Sequence, residues 1–348
     1  MLEIFLPTIR WNASIRGLLE HLHWMSREHD VLVSVSDDSE NIEKHAFLTQ
    51  LGKASDRFRV LLQSPRLGMF RNFAELFSRA ARPYGLLVSD DDWVSAEYLL
   101  GADKLLERRP DVAAVMGLFL HVIPEKGAAL HAPLNITART PAERIEQYLR
   151  EDDSFNHSLY SVFRCAAVLP FCNYVKSHPL PASFFDYLIV FSLLARGALV
   201  SRNSGPYVYY NANWASADRV WESNNRSYAQ FGLPEWFTDF HHLYRGVEGF
   251  NFLAGPLSPI QERSEQRAAG LVVLSHYLRL FRRQVMTASP QWWERARHLQ
   301  IAERAEAFKA STEMIPAAVL ETFLIVLKAA SPRIHERYVE FHDTLGDR

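Results

Sequence analysis

Three adjacent carboxylates, Asp90-Asp91-Asp92, follow a short apolar run from Tyr84 to Val88. Side by side they repel one another and are costly unless a cation neutralises them. A hard dication such as Mg2+ or Mn2+ takes oxygen ligands and bridges one or two carboxylates to the phosphates of a substrate. A solvated acidic turn or a helix N-cap would use the same residues. Their company favours the metal reading, because other polar groups also end apolar runs. Thr8 and Arg10 follow the run from Leu2 to Leu6, Asp37 and Asp38 follow Val31 to Val35, and Arg66 follows Phe58 to Leu62.

Asp37 and Asp38 could accept hydrogen bonds from a nucleobase or ribose, or simply form a turn. In the segment Pro65-Arg66-Leu67-Gly68, Gly68 would let the backbone pass close to a ligand. Arg66 or Arg71 could fork onto a diphosphate. An ordinary loop with surface arginines is the other reading, since no GxGxxG or GxxxxGK pattern occurs here. Asp186 interrupts the apolar stretch FFDYLIVFSLL. Burial there would make it a better general base, whereas a solvent-facing or capping Asp would need no function. His21 and His23 lie two apart and share no helix face, and His241-His242 are adjacent, so the 14 histidines read as surface or satisfied core residues. Cys165 and Cys172 form neither a disulfide framework nor a zinc motif, and read as core thiols of a reducing compartment.

The elements that must hold these groups alternate. Strands are predicted at Leu2 to Leu6, Val31 to Val35, Phe58 to Leu62, Tyr84 to Val88 and Val112 to Ile123. Helices are predicted at Ile15 to Met25, Ile42 to Leu51, Met69 to Ala81, Tyr98 to Arg108, Thr140 to Arg150 and Phe184 to Ala195, with a last strand at Tyr207 to Tyr210. Such alternation with short connections implies βαβ units, a mainly parallel central sheet and flanking helices. Ligands of these sheets sit outside the carboxyl ends of the strands, where the polar residues above fall. After residue 212 the segments Glu262 to Thr287, Trp292 to Ser311 and Pro316 to Ala329 read as helical. The expected organisation is a catalytic domain over 1–212 and a helical region over 213–348.

Composition bounds the partners. A chain of 348 residues that is 48% hydrophobic supports one large domain or two. A formal net charge of -2 gives no general drive toward nucleic acid. MLEIFLPTIR carries no signal-peptide pattern, and the longest apolar stretch, Val112 to Pro124, is too short to span a bilayer. A cytoplasmic protein is expected. The basic and aromatic stretch LSHYLRLFRRQV leaves two readings open, a peripheral contact with an anionic membrane or a packed helix with a basic outer face.

The order of these pieces resembles the family 2 glycosyltransferases over about residues 2–212. LPTIRWNAS resembles the opening strand and its loop, matching at Pro7, Thr8 and Asn12. VSVSDDSEN is similar to the second-strand acidic motif that contacts the nucleobase, PRLGMFRN to a segment matched at Gly68 and Asn72, and LLVSDDDWV to the DxD segment. NHSLYSVFR and FFDYLIVFSLLARGALV resemble the acceptor-side strand and the helix with the base. The resemblance implies a GT-A, Rossmann-like fold of the bacterial polysaccharide or O-antigen type. It implies inverting transfer from a nucleotide-diphosphate sugar to a hydroxyl of a glycan or lipid-linked acceptor. On it, Asp91 leads the ligands of an Mg2+ or Mn2+ ion with Asp90 or Asp92 assisting, and Asp186 is the base. Pro7, Thr8, Arg10, Asp37, Asp38, Arg66, Gly68, Asn72 and Asp90 form the donor site, and His157 and Tyr160 lie on the acceptor side. The chain lacks a Gln-x-x-Arg-Trp motif, so a processive synthase is not implied. Two other functions compete: a non-catalytic scaffold or binding protein on the same fold, and a sugar nucleotidyltransferase. The latter usually needs a glycine-rich loop after the first strand, where this chain has no glycine until Gly17.

Overall fold

The computed structural model describes residues 2–123, 126–151, 156–210, 216–310 and 315–346. The expected boundary at 212/213 and the end of the apolar stretch at Pro124 lie outside the described residues. The chain divides into two compact units. The first comprises Met1–Ala138, Glu151–Lys176 and Ile189–Ala212. The second comprises Arg139–Arg150, Ser177–Leu188 and Asn213–Arg348.

The first unit begins with the expected alternation: β1 (Leu2–Thr8), α1 (Ala13–Glu28), β2 (Val31–Asp37), α2 (Ile42–Ala54), β3 (Phe58–Leu62), α3 (Met69–Ser78) and β4 (Tyr84–Leu87). Side-chain caps start the first two helices: Asn12 accepts from the Ile15 N–H and Asn41 from the Lys44 N–H. Ile15, Leu18, Leu19 and Leu22 bury one face of α1, as their 3.6-residue spacing requires. There follow β5 (Trp93–Val94), α4 (Ala96–Leu99), α5 (Ala102–Arg108), β6 (Val112–Ile123) and β7 (Gly127–Leu130). Along the chain then come α6 (Pro141–Glu151), which belongs to the second unit, β8 (Val162–Arg164), α7 (Cys165–Ser177), α8 (Phe185–Arg196), whose first turn belongs to the second unit, and β9 (Ala198–Tyr210). The single helix expected from Tyr98 to Arg108 is broken, because Gly101 stands at φ +77, a left-handed conformation that ends one turn and starts the next.

The strands form one sheet in the order β3-β2-β1-β4-β8-β6-β9-β5, with β7 paired to β6. The α/β class with flanking helices is what the sequence implied. The sheet is parallel from β3 through β4. Strand β8 then runs antiparallel to both β4 and β6, so the sheet as a whole is mixed. Phe5 on β1 packs edge-on against Phe77 of α3 at 5.2 Å and stacks near Phe163 of β8, which ties helix layer to sheet. Glu3, fully buried on β1, accepts hydrogen bonds from the Ser34 hydroxyl and the Ala81 and Arg82 N–H groups, so its burial leaves no orphaned charge.

The second unit contains α6, whose capping box forms as its sequence suggests: the Thr140 hydroxyl accepts from the Glu143 N–H while Glu143 accepts from the Thr140 N–H. It continues through α9 (Ala217–Ala229), α10 (His241–Ala254), α11 (Arg263–Met286), α12 (Pro290–His298), α13 (Ala302–Ala310), α14 (Pro316–Ala330) and α15 (Pro332–Gly346). The helix expected from Trp292 to Ser311 is two helices, separated near Gln300, which adopts φ +58. No helix among the described residues is long and apolar enough to cross a membrane.

Candidate functional site

From β1 the chain moves outward to β2 and β3, then returns to the opposite side of β1 as β4. At such a reversal ligands of open α/β sheets bind in a crevice outside the carboxyl ends of the strands, here those of β1 and β4. The loop after β1 supplies Thr8, Ile9 and Arg10 to it, and the turn after β4 supplies the acidic triplet.

The three carboxylates diverge and do different work. Asp90 reaches back to β1, where one oxygen accepts from the Thr8 hydroxyl at 3.3 Å and from the Ile9 and Arg10 N–H groups at 3.2 Å each. It clasps the two strand-end loops together. Asp92, 5% exposed, reaches the other way: it accepts from the Tyr207 hydroxyl at 2.8 Å and the Tyr210 N–H at 3.0 Å. Burial, with the neighbouring Asp91 charge, pushes its carboxyl up to about 8. Asp91 is the most exposed of the three, its side chain 25% exposed against 12% for Asp90, with one oxygen 2.8 Å from Arg10 Nη1, while the other Asp90 oxygen lies 3.6 Å from Arg10 Nε. Burial raises the Asp91 carboxyl and Arg10 works against that rise. Burial lowers the Arg10 guanidinium, but Asp91 and Asp90 outweigh it and raise the group overall. Of the three acids expected to hold a metal, Asp91 is therefore the most exposed. The triplet forms no three-carboxylate nest among the described residues.

The β2 acids turn inward. Asp37 is fully buried, 2.7 Å from Lys44 Nζ and 3.1 Å from His45 Nε2, and accepts from the Ser39 N–H and hydroxyl. Lys44, also fully buried, donates to the Thr8 hydroxyl at 2.9 Å, so one ammonium joins β1 to β2. Burial lowers the Lys44 pKa, partly offset by Asp37. Asp38 accepts from the Leu67 N–H at 2.6 Å and the Gly68 N–H at 2.9 Å, fixing the β3–α3 loop against the end of β2. Both acids thus shape the loops, and their oxygens are engaged by the protein itself. Gly68 adopts φ +78 at the start of α3, with open space where a Cβ would stand. Arg66 is exposed on that loop, and buried Asn72 donates to the Ser36 carbonyl at 3.1 Å. Pro7 is buried within β1.

Tyr160 and His157 lie behind the triplet in an aromatic wall. The Tyr160 hydroxyl is 3.2 Å from the Ser89 hydroxyl, and its ring lies 4.8 Å from Tyr207. His157, 1% exposed, packs 4.3 Å from Phe119 and 4.1 Å from His131. Burial, reinforced by His131 and His121, pushes the His157 imidazole down to about 2. The sequence did not reveal Lys44, Tyr207 or Tyr210 as site residues. Lys44 reads as an ordinary early helix lysine, and the tyrosines are 115 and 118 positions from Asp92.

No protein-family model and no curated protein sequence matches this chain. Solved structures resemble it in fold. The chain is similar to residues 1–349 of TarS from S. aureus, at 14% identity over 94% of this chain and 90% of that one, with a TM-score of 0.45. It is also similar to a longer TarS structure, covering 99% of this chain and 55% of that one at 14% identity and a TM-score of 0.48. A third is the mannosyltransferase PcManGT from Pyrobaculum calidifontis in complex with GDP-Man and Mn2+, at 13% identity over 98% and 85%, with a TM-score of 0.44. At these scores and identities the functional reading rests on the chain's own geometry.

Asp186 belongs to the second unit, half-buried in the first turn of α8, where the helix dipole favours a negative charge. The same unit holds the one convergence of three metal-type donors among the described residues, His178, Glu248 and His342. Its hydrogen bonding does not suit a metal. The Leu180 N–H donates to His178 Nδ1 at 3.1 Å, so the ring proton sits on Nε2, facing Glu248 Oε2 at 3.0 Å. A metal-bound imidazole would have to donate from that other nitrogen instead. With the Tyr338 hydroxyl also donating to Glu248, His178, Glu248 and Tyr338 form a buried hydrogen-bond lock, with the His342 ring packed against Tyr338. Cys165 and Cys172 are free buried thiols on α7, each pushed to about 12 by burial.

Proposed function

We propose that this chain is a metal-dependent glycosyltransferase that moves a sugar from a nucleotide-diphosphate donor to a hydroxyl of a glycan or lipid-linked acceptor. The observation that carries the reading is the meeting of the β1 and β4 loops at the switch point of the sheet. There Asp91 and Arg10 are accessible charges beside Asp90 and Thr8, and Asp38 ties the Gly68 loop to the end of the neighbouring strand β2. Such a crevice suits a nucleoside diphosphate, with Arg66 and Arg10 as candidate phosphate partners and the open Gly68 backbone as a surface to lie against. Hard carboxylate oxygen is the donor chemistry an Mg2+ or Mn2+ ion takes, and Asp91 would hold it. When bound, the ion supplies charge neutralisation at the departing diphosphate. The protein's own part is to fix Asp91 through Arg10 and to keep Asp90 on the β1 loop. Asp186 is the proposed base, taking the proton of the acceptor hydroxyl as it displaces the diphosphate with inversion.

Titration of UDP, GDP and dTDP with and without Mn2+, on the wild type and on Asp91→Ala, tests this reading. Metal-dependent binding of one nucleotide, lost in the variant, supports it; absence of any nucleotide binding with metal present overturns it. Asp186→Asn should keep nucleotide binding and lose transfer by about 10^2- to 10^4-fold. A second reading, a non-catalytic binding protein, draws on the same Arg10–Asp91 pair, since a guanidinium already balances the open carboxylate. It predicts nucleotide binding indifferent to Mn2+ and no turnover.

A further inference from the structure

A second cavity lies wholly within the helical unit, between α6 and α11, with a volume of about 760 Å3. Its floor is one face of α11, built from residues three and four apart. Ala268, Leu271 and Val272 form one end of the stripe, and His276, Arg279 and Arg283 the other. Helix α6 closes the side with Leu149 and Arg150 and contributes a single acid, Glu146. Buried Arg144 of α6 feels the charge of Glu265 on α11, which helps hold the two helices in register. The cavity is therefore divided: apolar over two turns, cationic over the next two. Arg279 and Arg283 are exposed at that end. Burial, followed by Arg279 and Arg283, holds His276 down at about 4, so the imidazole stays neutral and leaves its ring nitrogens for hydrogen bonding.

We infer that this cavity binds a phosphate-headed amphiphile, with the phosphate between Arg279, Arg283 and His276 and the hydrocarbon chain along Leu271, Val272 and Leu149. Guanidinium forks match phosphate oxygens, and the apolar end rewards burial of a chain that a sugar phosphate or a free ion lacks. The anionic head answers the excess of arginine over the lone Glu146. The site stands apart from the proposed transfer reaction, and its test is binding alone.

Calorimetric titration of the full chain with octyl phosphate, octyl glucoside and inorganic phosphate separates the contributions of head and tail. Octyl phosphate should bind at least about tenfold more tightly than either of the others, and Arg279→Gln/Arg283→Gln should lose at least about tenfold while retaining the wild-type melting temperature. Flotation with phosphatidylglycerol vesicles tells a bilayer headgroup from a singly presented amphiphile. Arginine-dependent flotation assigns the source to the bilayer, and octyl phosphate binding without flotation assigns it to individual molecules. Equal binding of inorganic phosphate makes this a bare anion site and overturns the inference. So does equal binding of octyl glucoside, or octyl phosphate binding that the double variant retains. No binding of octyl phosphate overturns it outright.

Discussion

Replacing His157 by Phe should make the protein less sensitive to acid. The imidazole is 1% exposed and faces His121 of β6, His131 and Tyr209 of β9. Its folded value of about 2 lies far below the ordinary 6.5. A histidine held neutral in the folded state gives stability that is fully present above the unfolded value. That stability is lost as pH falls through 6.5 and continues to drain until the folded value is reached. Between pH 7 and pH 5 the unfolded chain takes up most of one proton at this position and the folded chain takes up almost none. Integrating that uptake gives a loss of about 2 kcal/mol from this residue, a sizeable part of a typical stability of roughly 5–15 kcal/mol. Phe keeps a ring of similar size in the aromatic wall and removes the titration. Urea denaturation followed by circular dichroism at both pH values, in both proteins, measures the difference directly. The variant should lose about 2 kcal/mol less than the wild type over the interval. Equal losses in the two proteins would refute the reasoning.

Three further perturbations test the clasps around the crevice and the buried lock. Lys44→Met leaves Asp37 buried without its cation and should cost about 3–5 kcal/mol, with Lys44→Met/Asp37→Asn recovering a large part by the same denaturation assay. Asp92→Ala leaves the Tyr207 hydroxyl, which still accepts from the Ser89 N–H, and the Tyr210 N–H without their acceptor and should cost about 2–4 kcal/mol, read as a lower urea midpoint. Glu248→Ala should destabilise by about 3 kcal/mol or more through loss of the His178 and Tyr338 partners, while EDTA leaves the melting temperature of Asp91→Ala, which lacks the proposed metal ligand, unchanged. A drop in melting temperature with EDTA that Glu248→Ala abolishes would reinstate a metal at the lock.

Much of the crevice was legible because its signals are local. Apolar runs followed by Thr8, Asp37 and Asp90 mark strand ends, and a βα repeat puts strand ends on one side. The capping box at Thr140 was equally local. What the sequence withheld is the division of labour inside the triplet. Asp92 looks identical to Asp91 until β9 supplies Tyr207, and Asp37 looks like a ligand until Lys44 folds under it. The antiparallel β8 is three residues long, too short for any period to register, yet it decides the second half of the sheet. The broken helices near Gly101 and Gln300 were missed for a different reason. Continuous amphipathic spacing hides a single left-handed residue.

The placement of β8 carries a consequence for how the chain is made. The parallel half, β3-β2-β1-β4, is complete once Leu87 has been synthesised. Its free border, β4, waits for Val162–Arg164, about 75 residues downstream. At roughly 5–20 residues per second a ribosome needs about 4–15 s to deliver them. For that interval β4, buried throughout in the finished molecule, offers unpaired N–H and C=O groups and the side chains of Leu86 and Leu87 to any passing strand. The nascent chain is thus most vulnerable to association with its neighbours on a polysome before the sheet is sealed.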